Sequence, residues 1–455
     1  MRRGAPYLLV LVVLGQLVHR AARPLVNQDT YFHLRFGHEL LGGWSVRDPG
    51  SVSTFATADW VPTQWLSQVT MAAVEDRAGL AGVAWLSGLL LVALALTLYA
   101  VARRWSEPLV AAPVAALALL GSSSGLSARP QVVSYLLVAV TVAAWLGAAR
   151  SARAPWWLVP LTWVWACCHG MWPLGPAIGA VAVTAALARG ERRAAARGAG
   201  VVLLSGVAAV LTPVGPRLVG AVVAVGDRRQ FFDEWGAPDW TDPRLLGVLA
   251  LLLAAAAGQV RRGRPDPLPL GLLVLAGAGA ATSARTVPVA AAILVPLAAA
   301  ALQRLLRADR PAWTRPEQVV VVGGAVLALA VLAAVVPRTA ADPPARPAWA
   351  DPALAALPPG TPVLDDWDLG GWLMWRHPDL DPVMHGYGDT FTTAELHRNT
   401  TILATRPGWA ELVRDLDVSY ALVRPGTRLA RGLLDEGWRP LHTSSDLALL
   451  AAPGM

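Results

Sequence analysis

The strongest constraint on this chain is a series of long apolar runs separated by short polar gaps that are rich in arginine. Hydrophobic residues make up 55% of the 455 residues and charged residues only 15%, which is too apolar for a soluble protein of several domains. A bilayer core requires about 20 consecutive apolar residues in a helix. The pattern therefore predicts a polytopic α-helical membrane protein with about eleven transmembrane helices, at 6–22, 80–102, 108–122, 131–149, 155–169, 172–188, 199–215, 245–260, 267–283, 286–303 and 318–336.

Arginine is concentrated in every second gap between these runs. The positive-inside rule assigns such gaps to the cytoplasm, so we expect a multi-pass protein of the inner (plasma) membrane with a cytoplasmic amino terminus. No small-residue cleavage site follows the first apolar run, which is therefore interpreted as an anchor and not as a signal peptide. The basic gaps contain Arg2, Arg3, Arg103, Arg104, Arg150, Arg153, Arg189, Arg192, Arg193, Arg197, Arg261, Arg262, Arg264, Arg304, Arg307, Arg310 and Arg315.

The composition changes near residue 340, after a proline-rich linker at 341–347. Residues 340–455 carry nine arginines against fifteen acidic residues, whereas 1–339 carry 29 arginines against 16 acidic residues. Short β-type runs alternate with helical patterns in this tail, which predicts a small α/β domain. We therefore predict a transmembrane module at 1–339, with a first extracytoplasmic loop at about 23–79, and an extracytoplasmic α/β domain at 340–455.

Several classes of function are excluded by residue usage. Every one of the 38 Lys+Arg positions is arginine, which excludes a Schiff-base lysine and a P-loop lysine and indicates an arginine-rich bacterial proteome. The adjacent Cys167 and Cys168 offer neither a disulfide framework nor a metal-binding spacing, and we interpret both as packing residues. The sequence pI of about 10.2 reflects the basic loops, so no nucleic-acid partner is expected.

Polar residues from five separate stretches are predicted to lie at the outer face, where they are expected to form a site. Ionisable groups at a membrane boundary are costly and generally functional. The alternative for any one of them is an interfacial side chain that extends toward the headgroups. Arg129 and Arg285 oppose the prevailing charge bias, which favours anion binding. The residues are Asp29, His33, Arg35, Asp48, Gln64, Arg129, His169, Asp233, Glu234 and Arg285.

The first loop resembles that of GT-C glycosyltransferases, the superfamily of protein mannosyltransferases, aminoarabinose transferases and oligosaccharyltransferases. The similarity lies in Asp29-Thr30-Tyr31-Phe32-His33-Leu34-Arg35, Asp48-Pro49 and Trp65-Leu66-Ser67. The tail segment 365–375 is similar to the tail of a bacterial branch of this superfamily, as are Ala128-Arg129-Pro130-Gln131 and Glu234-Trp235-Gly236. Relatives with this tail often carry an acidic residue and an arginine where this chain has the turn 384–389, so acceptor specificity is expected to differ if that turn contacts the acceptor.

The resemblance implies transfer of a sugar from a polyprenyl-phosphate lipid to an extracytoplasmic glycan or protein acceptor. It assigns Asp29 as general base or metal ligand, with Asp48 and His33 as the other catalytic candidates. A single divalent ion, Mg²⁺ or Mn²⁺, shared by Asp29 and Asp48 is the expected cofactor. A phosphate leaving group needs cationic stabilisation, which an arginine fork provides. The predicted substrate-binding residues are Arg35, Gln64, Arg129, His169, Glu234 and Arg285.

Two other classes of protein stay open at this stage. A secondary transporter also places charges among helices, but it is expected to show related halves with interrupted helices near the midplane. A catalytically inactive GT-C descendant would use its tail to bind envelope glycans or proteins. Several conspicuous groups have structural interpretations: most of the tryptophans around 156–172 form an interfacial belt, and Asp365, Asp366 and Asp368 cap a helix that begins near Gly370.

Overall fold

The structure is a computed structural model that describes residues 4–306 and 312–454, without the side chains of Val225 and Asp227. The predicted cytoplasmic residues Arg2, Arg3, Arg307 and Arg310 lie outside the described residues. The chain forms two compact units. The first comprises Met1–Arg23, Ala81–Val219 and Phe232–Ala341, and the second comprises Pro24–Leu80, Gly220–Phe231 and Asp342–Met455.

The described residues are mostly helical, with a small sheet near the carboxyl terminus. The helices are α1 Ala5–Ala21, α2 Gln28–Leu41, α3 Trp65–Arg103, α4 Pro108–Ser122, α5 Gln131–Ser151, α6 Leu158–Cys168, α7 Leu174–Ala188, α8 Arg192–Val210, α9 Arg217–Arg228, α10 Pro243–Val260, α11 Pro267–Thr282, α12 Val287–Leu306, α13 Arg315–Thr339, α14 Ala350–Ala355, α15 Trp367–Arg376, α16 Thr393–Leu403, α17 Trp409–Asp415 and α18 Arg428–Asp435. The strands are β1 Pro362–Asp365, β2 Asp381–Pro382, β3 Tyr420–Val423, β4 Arg439–Thr443 and β5 Ala448–Ala451. Short 3-10 helices occupy Ser123–Gly125, Arg229–Phe231, Asp233–Trp235, Ala284–Thr286 and Gly388–Thr390.

Seven helical segments of the described chain are long and apolar enough to cross a membrane. They are Trp65–Arg103, Pro108–Gly125, Gln131–Ser151, Arg192–Val210, Pro243–Val260, Ala284–Leu306 and Arg315–Thr339. The other four predicted spans fall on α1, α6, α7 and α11, which have only 11 to 17 residues. The architecture is that of a multi-pass membrane protein, whereas a count of eleven crossings stays a prediction.

Helix α12 is the centre of the first unit, where it packs against α4, α5, α10 and α11. Small residues allow this close approach, as is common where membrane helices meet. A side chain added at Gly258 would meet the Cβ of Ala301, and one added at Gly121 would meet Val248 and Ala291. The helices are thus held together by the close approach of their backbones, because inside a membrane no apolar surface is being removed from water.

A fully buried ion pair joins the carboxyl end of α3 to the start of α13 in the same unit. Arg103 Nε and NH2 donate to the two carboxylate oxygens of Glu317, at 2.5 and 2.9 Å. The Tyr99 hydroxyl donates to Glu317 at 2.9 Å. Arg103, which was predicted as one of the cytoplasmic loop charges, is therefore a structural residue, because its charge is removed from water and satisfied by this bidentate contact.

The second unit contains the five-stranded sheet, with strand order β2-β1-β3-β5-β4. Strand β1 is parallel to β2 and β3, while β5 is antiparallel to β3 and β4. The α/β character that was predicted for the tail is present in this sheet and in helices α16, α17 and α18. Strand β4 was not predicted, because all five of its residues are exposed and provide no alternation of apolar and polar residues.

Helix α2 also belongs to the second unit, although the sequence predicted only a loop there. It packs against α15, and the Trp372 amide donates to the Gln28 side chain at 3.2 Å. Gly371 permits this contact, because a Cβ at that position would lie 2.3 Å from the carbonyl oxygen of Gln28. The first loop and the tail therefore form one structural unit.

The acidic run at the start of α15 differs from the prediction in two respects. The helix begins at Trp367, three residues before Gly370, and among the three aspartates only Asp366 is the capping residue, accepting the Asp368 amide at 3.0 Å. Asp365 is fully buried in β1, where its side chain accepts the Met384 amide at 2.6 Å. Burial raises the pKa of Asp365 well above its usual range.

Candidate functional site

Helix α2 determines where the predicted catalytic residues of the second unit lie. The Asn27 side chain caps this helix by accepting the Asp29 amide at 2.9 Å, so Asp29 occupies the first turn. A carboxylate is favoured in that position by the helix dipole. Asp29 and His33 are separated by four residues and thus share one side of the helix. Asp29 is half-buried, while His33 is only 3% exposed.

Several buried side chains surround His33. Its Nδ1 lies 3.3 Å from the Gln68 side-chain nitrogen, which makes Nδ1 the acceptor and leaves the ring proton on Nε2. Burial raises the pKa of the nearby Tyr387 phenol, and the side chains of Gln64 and Gln68 oppose the increase. The Tyr387 hydroxyl has no hydrogen-bond partner among the described residues. Tyr387 stacks on Phe32 at 4.8 Å, and its ring centre lies 6.0 Å from that of His33. His33 and Gln64, which were predicted as site residues, therefore both lie near Tyr387.

Arg35 is held in place by its own helix and by α15. Its NH2 forms an ion pair with Glu39 at 2.8 Å, and its NH1 donates to the carbonyl of Met374 at 3.0 Å. The side chain is 16% exposed. Arg35 is therefore pre-oriented, and its role in substrate binding stays a prediction.

The proposed metal ligands Asp29 and Asp48 belong to different kinds of local structure. Asp48 is exposed in an irregular segment. Across residues 4–306 and 312–454, the structure has no group of three or more His, Cys, Asp or Glu that is suitable for a metal ion. Mg²⁺ often takes only one or two protein carboxylates and completes its coordination with water and substrate phosphate, so Asp29 and Asp48 stay predicted ligands.

Three predicted residues of the first unit come together in one ionic cluster. Arg285 forms an ion pair with one carboxylate oxygen of Glu234, and Arg129 NH2 lies 3.7 Å from the other. The Arg285 guanidinium also lies 4.8 Å from the centre of the Trp235 ring, a cation–π contact. Two arginines thus share one carboxylate, which leaves the cluster with a net positive charge.

The backbone joins the segments that carry this cluster. Arg129 precedes α5, Glu234 lies in the 3-10 helix Asp233–Trp235, and Arg285 lies in the 3-10 helix Ala284–Thr286. The Ser283 hydroxyl donates to the Glu234 carbonyl at 3.2 Å, and the Ala284 amide donates to the Gly236 carbonyl at 3.0 Å. Glu234 is therefore fixed by main-chain contacts as well as by its charge.

His169, the remaining candidate of the first unit, is buried at the end of α6. The Trp165 indole donates to the Ser134 hydroxyl at 2.7 Å, and that hydroxyl lies 2.8 Å from His169 Nδ1, which also accepts the Met171 amide at 3.4 Å. The ring proton is therefore on Nε2. Asp233, by contrast, is exposed and takes no part in the cluster.

Residues of these groups that were missed from the sequence include Gln68, Ser134, Tyr135, Trp235 and Tyr387. Ser134 and Tyr135 interrupt an otherwise apolar span, and buried polar groups in a membrane helix are a signal for function or for a specific packing contact. Gln68 lies one turn after Gln64, which is the spacing of two side chains on one helix face.

Searches by sequence identify no relative, since neither any protein-family model nor any curated protein matches. Searches by structure identify several. The oligosaccharyltransferase AglB from Archaeoglobus fulgidus, solved in complex with an inhibitory peptide and a dolichol-phosphate, is 13% identical, with a TM-score of 0.58 over 98% of this chain and 74% of AglB. A complex of the Archaeoglobus fulgidus oligosaccharyltransferase with Zn and sulfate is 12% identical, with a TM-score of 0.58 over 97% of this chain and 73% of that one.

A third solved structure matches over almost its whole length. ArnT from Cupriavidus metallidurans in the apo state is 16% identical, with a TM-score of 0.52 over 99% of this chain and 98% of ArnT. These proteins are GT-C glycosyltransferases. At such low identity the similarity establishes the fold and leaves the reaction open. The chain therefore has the fold of the GT-C superfamily of membrane glycosyltransferases.

Proposed function

We propose that this protein is an integral membrane glycosyltransferase that transfers a sugar from a polyprenyl-phosphate donor to an extracytoplasmic acceptor. The observation that carries the proposal is the cluster of Arg129, Glu234 and Arg285 in the first unit. The two guanidinium groups beside this carboxylate present planar forks of N–H donors, and the three side chains carry a formal charge of +1. Such a cluster suits the phosphate of a lipid-linked sugar, which carries one negative charge and several acceptor oxygens.

The arginines would stabilise the leaving group of the transfer. When the bond between the sugar and the phosphate breaks, negative charge develops on the phosphate oxygens. Guanidinium groups that are already in place stabilise this charge in the transition state without reorganising. The cluster is only partly exposed, with side-chain accessibilities of 14% for Arg129 and 21% for Arg285, so the electrostatic effect is stronger than it would be in water.

Asp29 is the proposed general base in the second unit. An acceptor hydroxyl or amide attacks the anomeric carbon, the bond to phosphate breaks, and the acceptor proton passes to the carboxylate. The position of Asp29 in the first turn places the carboxylate at the amino-terminal end of α2. His33 and Gln64, together with the buried side chain of Tyr387, would orient the reacting groups near Asp29.

Two properties of the AglB complexes support the donor and acceptor classes. One AglB structure contains a dolichol-phosphate and an inhibitory peptide, and another oligosaccharyltransferase structure contains Zn and sulfate. A lipid phosphate is therefore a precedent for the donor of this chain, and a peptide for its acceptor. A metal ion remains a proposal, with Asp29 as the first residue to test.

The donor site can be tested by binding of polyprenyl phosphate to the purified full-length protein. Arg129→Lys and Arg285→Lys keep the charge but lose the planar fork, and we expect each to weaken binding about tenfold, since a charge-assisted hydrogen bond contributes about 1.5–3 kcal/mol. Arg244→Lys is the matched control, because Arg244 forms an exposed ion pair with Asp242 in the same unit. Polyprenol without phosphate should not bind measurably. Unchanged affinity in both cluster variants would contradict the donor site.

The orientation is part of the proposal and has its own test. The arginine-rich gaps predict a cytoplasmic amino terminus and an exported tail. An enzyme that is active only in the cytoplasm should be inactive when fused to the carboxyl terminus. Activity of that fusion would reverse the orientation and move the acceptor to the cytoplasmic side.

A further inference from the structure

The second unit contains an open cavity of about 350 Å³ that the proposed chemistry does not use. It is lined by Arg35, His38 and Glu39 from α2, by Trp375 and Arg376 from the end of α15, and by Pro378 just beyond that helix. Its volume is at the lower end of the range of about 300–1,000 Å³ that is typical of small-molecule sites. The cavities of the first unit that are lined by α1, α3 and α4 or by α5 to α8 measure only 20 and 10 Å³.

Cationic side chains at the cavity wall offer hydrogen-bond donors to an anion. Arg35 and Arg376 line the cavity together with Glu39. Each cation already has an acidic neighbour, since Arg35 pairs with Glu39, Arg376 with Asp351 and His38 with Glu75. An anion would therefore be held by the remaining guanidinium donors and not by a net positive charge.

The aromatic wall of the cavity favours a saccharide over a small inorganic anion. Trp375 presents a flat indole ring beside Pro378, and apolar sugar faces pack well on such surfaces. The indole nitrogen donates to Glu75 at 2.9 Å, and the ring lies 5.0 Å from Tyr31. Trp375 is thus fixed in orientation before any ligand arrives.

Residues outside the cavity hold its polar groups in position. One carboxylate, Glu75, holds both His38 and Trp375. Asp351 accepts from Arg376 Nε at 3.2 Å and from NH2 at 2.9 Å. These bonds leave the NH1 donors of Arg376 without a partner among the described residues, and the side chain is 48% exposed. Pre-oriented donors of this kind reduce the entropic cost of binding.

We propose that this cavity, formed by α2 and the end of α15, binds an anionic saccharide that carries a carboxylate or a phosphate. The bound sugar would be part of the acceptor, and this identification rests on the proposed function. Arg376 and Arg35 bind the anionic group, and Trp375 packs against the sugar ring. The site would then select acidic over neutral acceptors.

Equilibrium binding to the full-length protein in detergent tests the proposal without requiring transfer. The probes are a glucuronate-containing tetrasaccharide, its methyl ester, glucose 6-phosphate and inorganic phosphate. We expect at least one of the two anionic sugars to bind at least tenfold more tightly than both the ester and inorganic phosphate. Binding of the ester or of inorganic phosphate as tightly as the best anionic sugar would overturn the proposal, and so would failure of all four probes to bind.

Two pairs of variants assign the binding to this cavity. Arg376→Gln should weaken the anionic sugar about tenfold, while Arg424→Gln, which removes a comparable exposed ion pair with Asp368, should change it less than twofold. Trp375→Phe and Trp375→Leu both lose the bond to Glu75, but only the first keeps a ring, so only the second should abolish binding. Equal effects within either pair, at unchanged melting temperature, would contradict the assignment.

The outcome for the cavity is separable from the outcome for the proposed function. Transfer activity with no binding of anionic sugars would reject the cavity and leave the glycosyltransferase intact. Binding of anionic sugars by a chain that transfers nothing would reject the enzyme and leave the cavity as a saccharide site.

Discussion

Removing the charge of Glu234 is expected to strengthen donor binding, which is the opposite of the usual effect of a substitution at a site. In the free protein Glu234 pairs with Arg285 and Arg129 and so competes with an incoming phosphate for both guanidinium groups. Glu234→Gln keeps the shape and a carbonyl oxygen, and the backbone contacts from Ser283 and Ala284 are unaffected. The net charge of the cluster rises from +1 to +2.

The magnitude follows from the exposure of the carboxylate. The Glu234 side chain is 39% accessible, so solvent screens both of its ion pairs. Exposed pairs contribute about 0.2–1 kcal/mol each. Two such pairs correspond to about 1 kcal/mol in total, or about a fivefold increase in affinity for a lipid phosphate.

The assay is equilibrium binding of polyprenyl phosphate by wild type and Glu234→Gln at low and high salt. The gain should decrease toward 1 M salt, where the Debye length is about 3 Å. Asp242→Asn is the matched control, because it removes a carboxylate from an ion pair elsewhere in the same unit, and it should change affinity less than twofold. Weaker binding by Glu234→Gln with an unchanged melting temperature would refute competition and indicate that Glu234 contacts the substrate directly.

Three further predictions concern other parts of the molecule. Asp29→Asn should lower product formation about 100-fold, the usual contribution of a general base, whereas Asp379→Asn at an exposed position of the same unit should not; loss of folded protein together with activity would indicate a structural role. Glu317→Gln leaves Arg103 buried without its counter-charge and should lower the free energy of unfolding by about 3 kcal/mol; a melting temperature equal to that of wild type would contradict it. The hydrogen bond to Glu75 raises the pKa of His38, so the stability that this bond gives the folded protein is complete below the unfolded pKa of about 6.5 and is lost as pH rises through the higher folded pKa. Between pH 6 and pH 9 the melting temperature of wild type should therefore fall more steeply than that of His38→Gln. Parallel curves would contradict the assignment.

Long apolar periodic runs are the part of this fold that the sequence predicted well. Each predicted span falls on an apolar helix because burial in lipid imposes hydrophobicity on every turn, and this signal needs no knowledge of the tertiary structure. Helix α2 was missed for the opposite reason. Its residues mix charged, aromatic and polar types without a clean period, because it is covered on several sides by other parts of the second unit.

The candidate site was predictable as a set of residues but not as a set of contacts. Arg129 and Arg285 were identified as a pair because both oppose the charge bias. Their common partner Glu234 lies about 105 and 51 positions away in sequence, and no local pattern encodes such a contact. Tyr387 was passed over for the same reason, since its ring contacts with Phe32 and His33 depend on how the tail folds onto the first loop.

The close contact between Gly371 and the backbone of Gln28 has a practical consequence for dissecting this protein. A fragment that begins at residue 340 would lack α2, and the surface of α15 that this helix covers would become exposed to solvent. Such a fragment is expected to aggregate even though it contains every strand of the sheet. Conversely, a bulky residue at position 371 would push α2 outward at Gln28. It would thereby displace Asp29, which directly follows Gln28 in the sequence. A mutational screen would then record a tail position as essential for activity, although that residue touches no substrate.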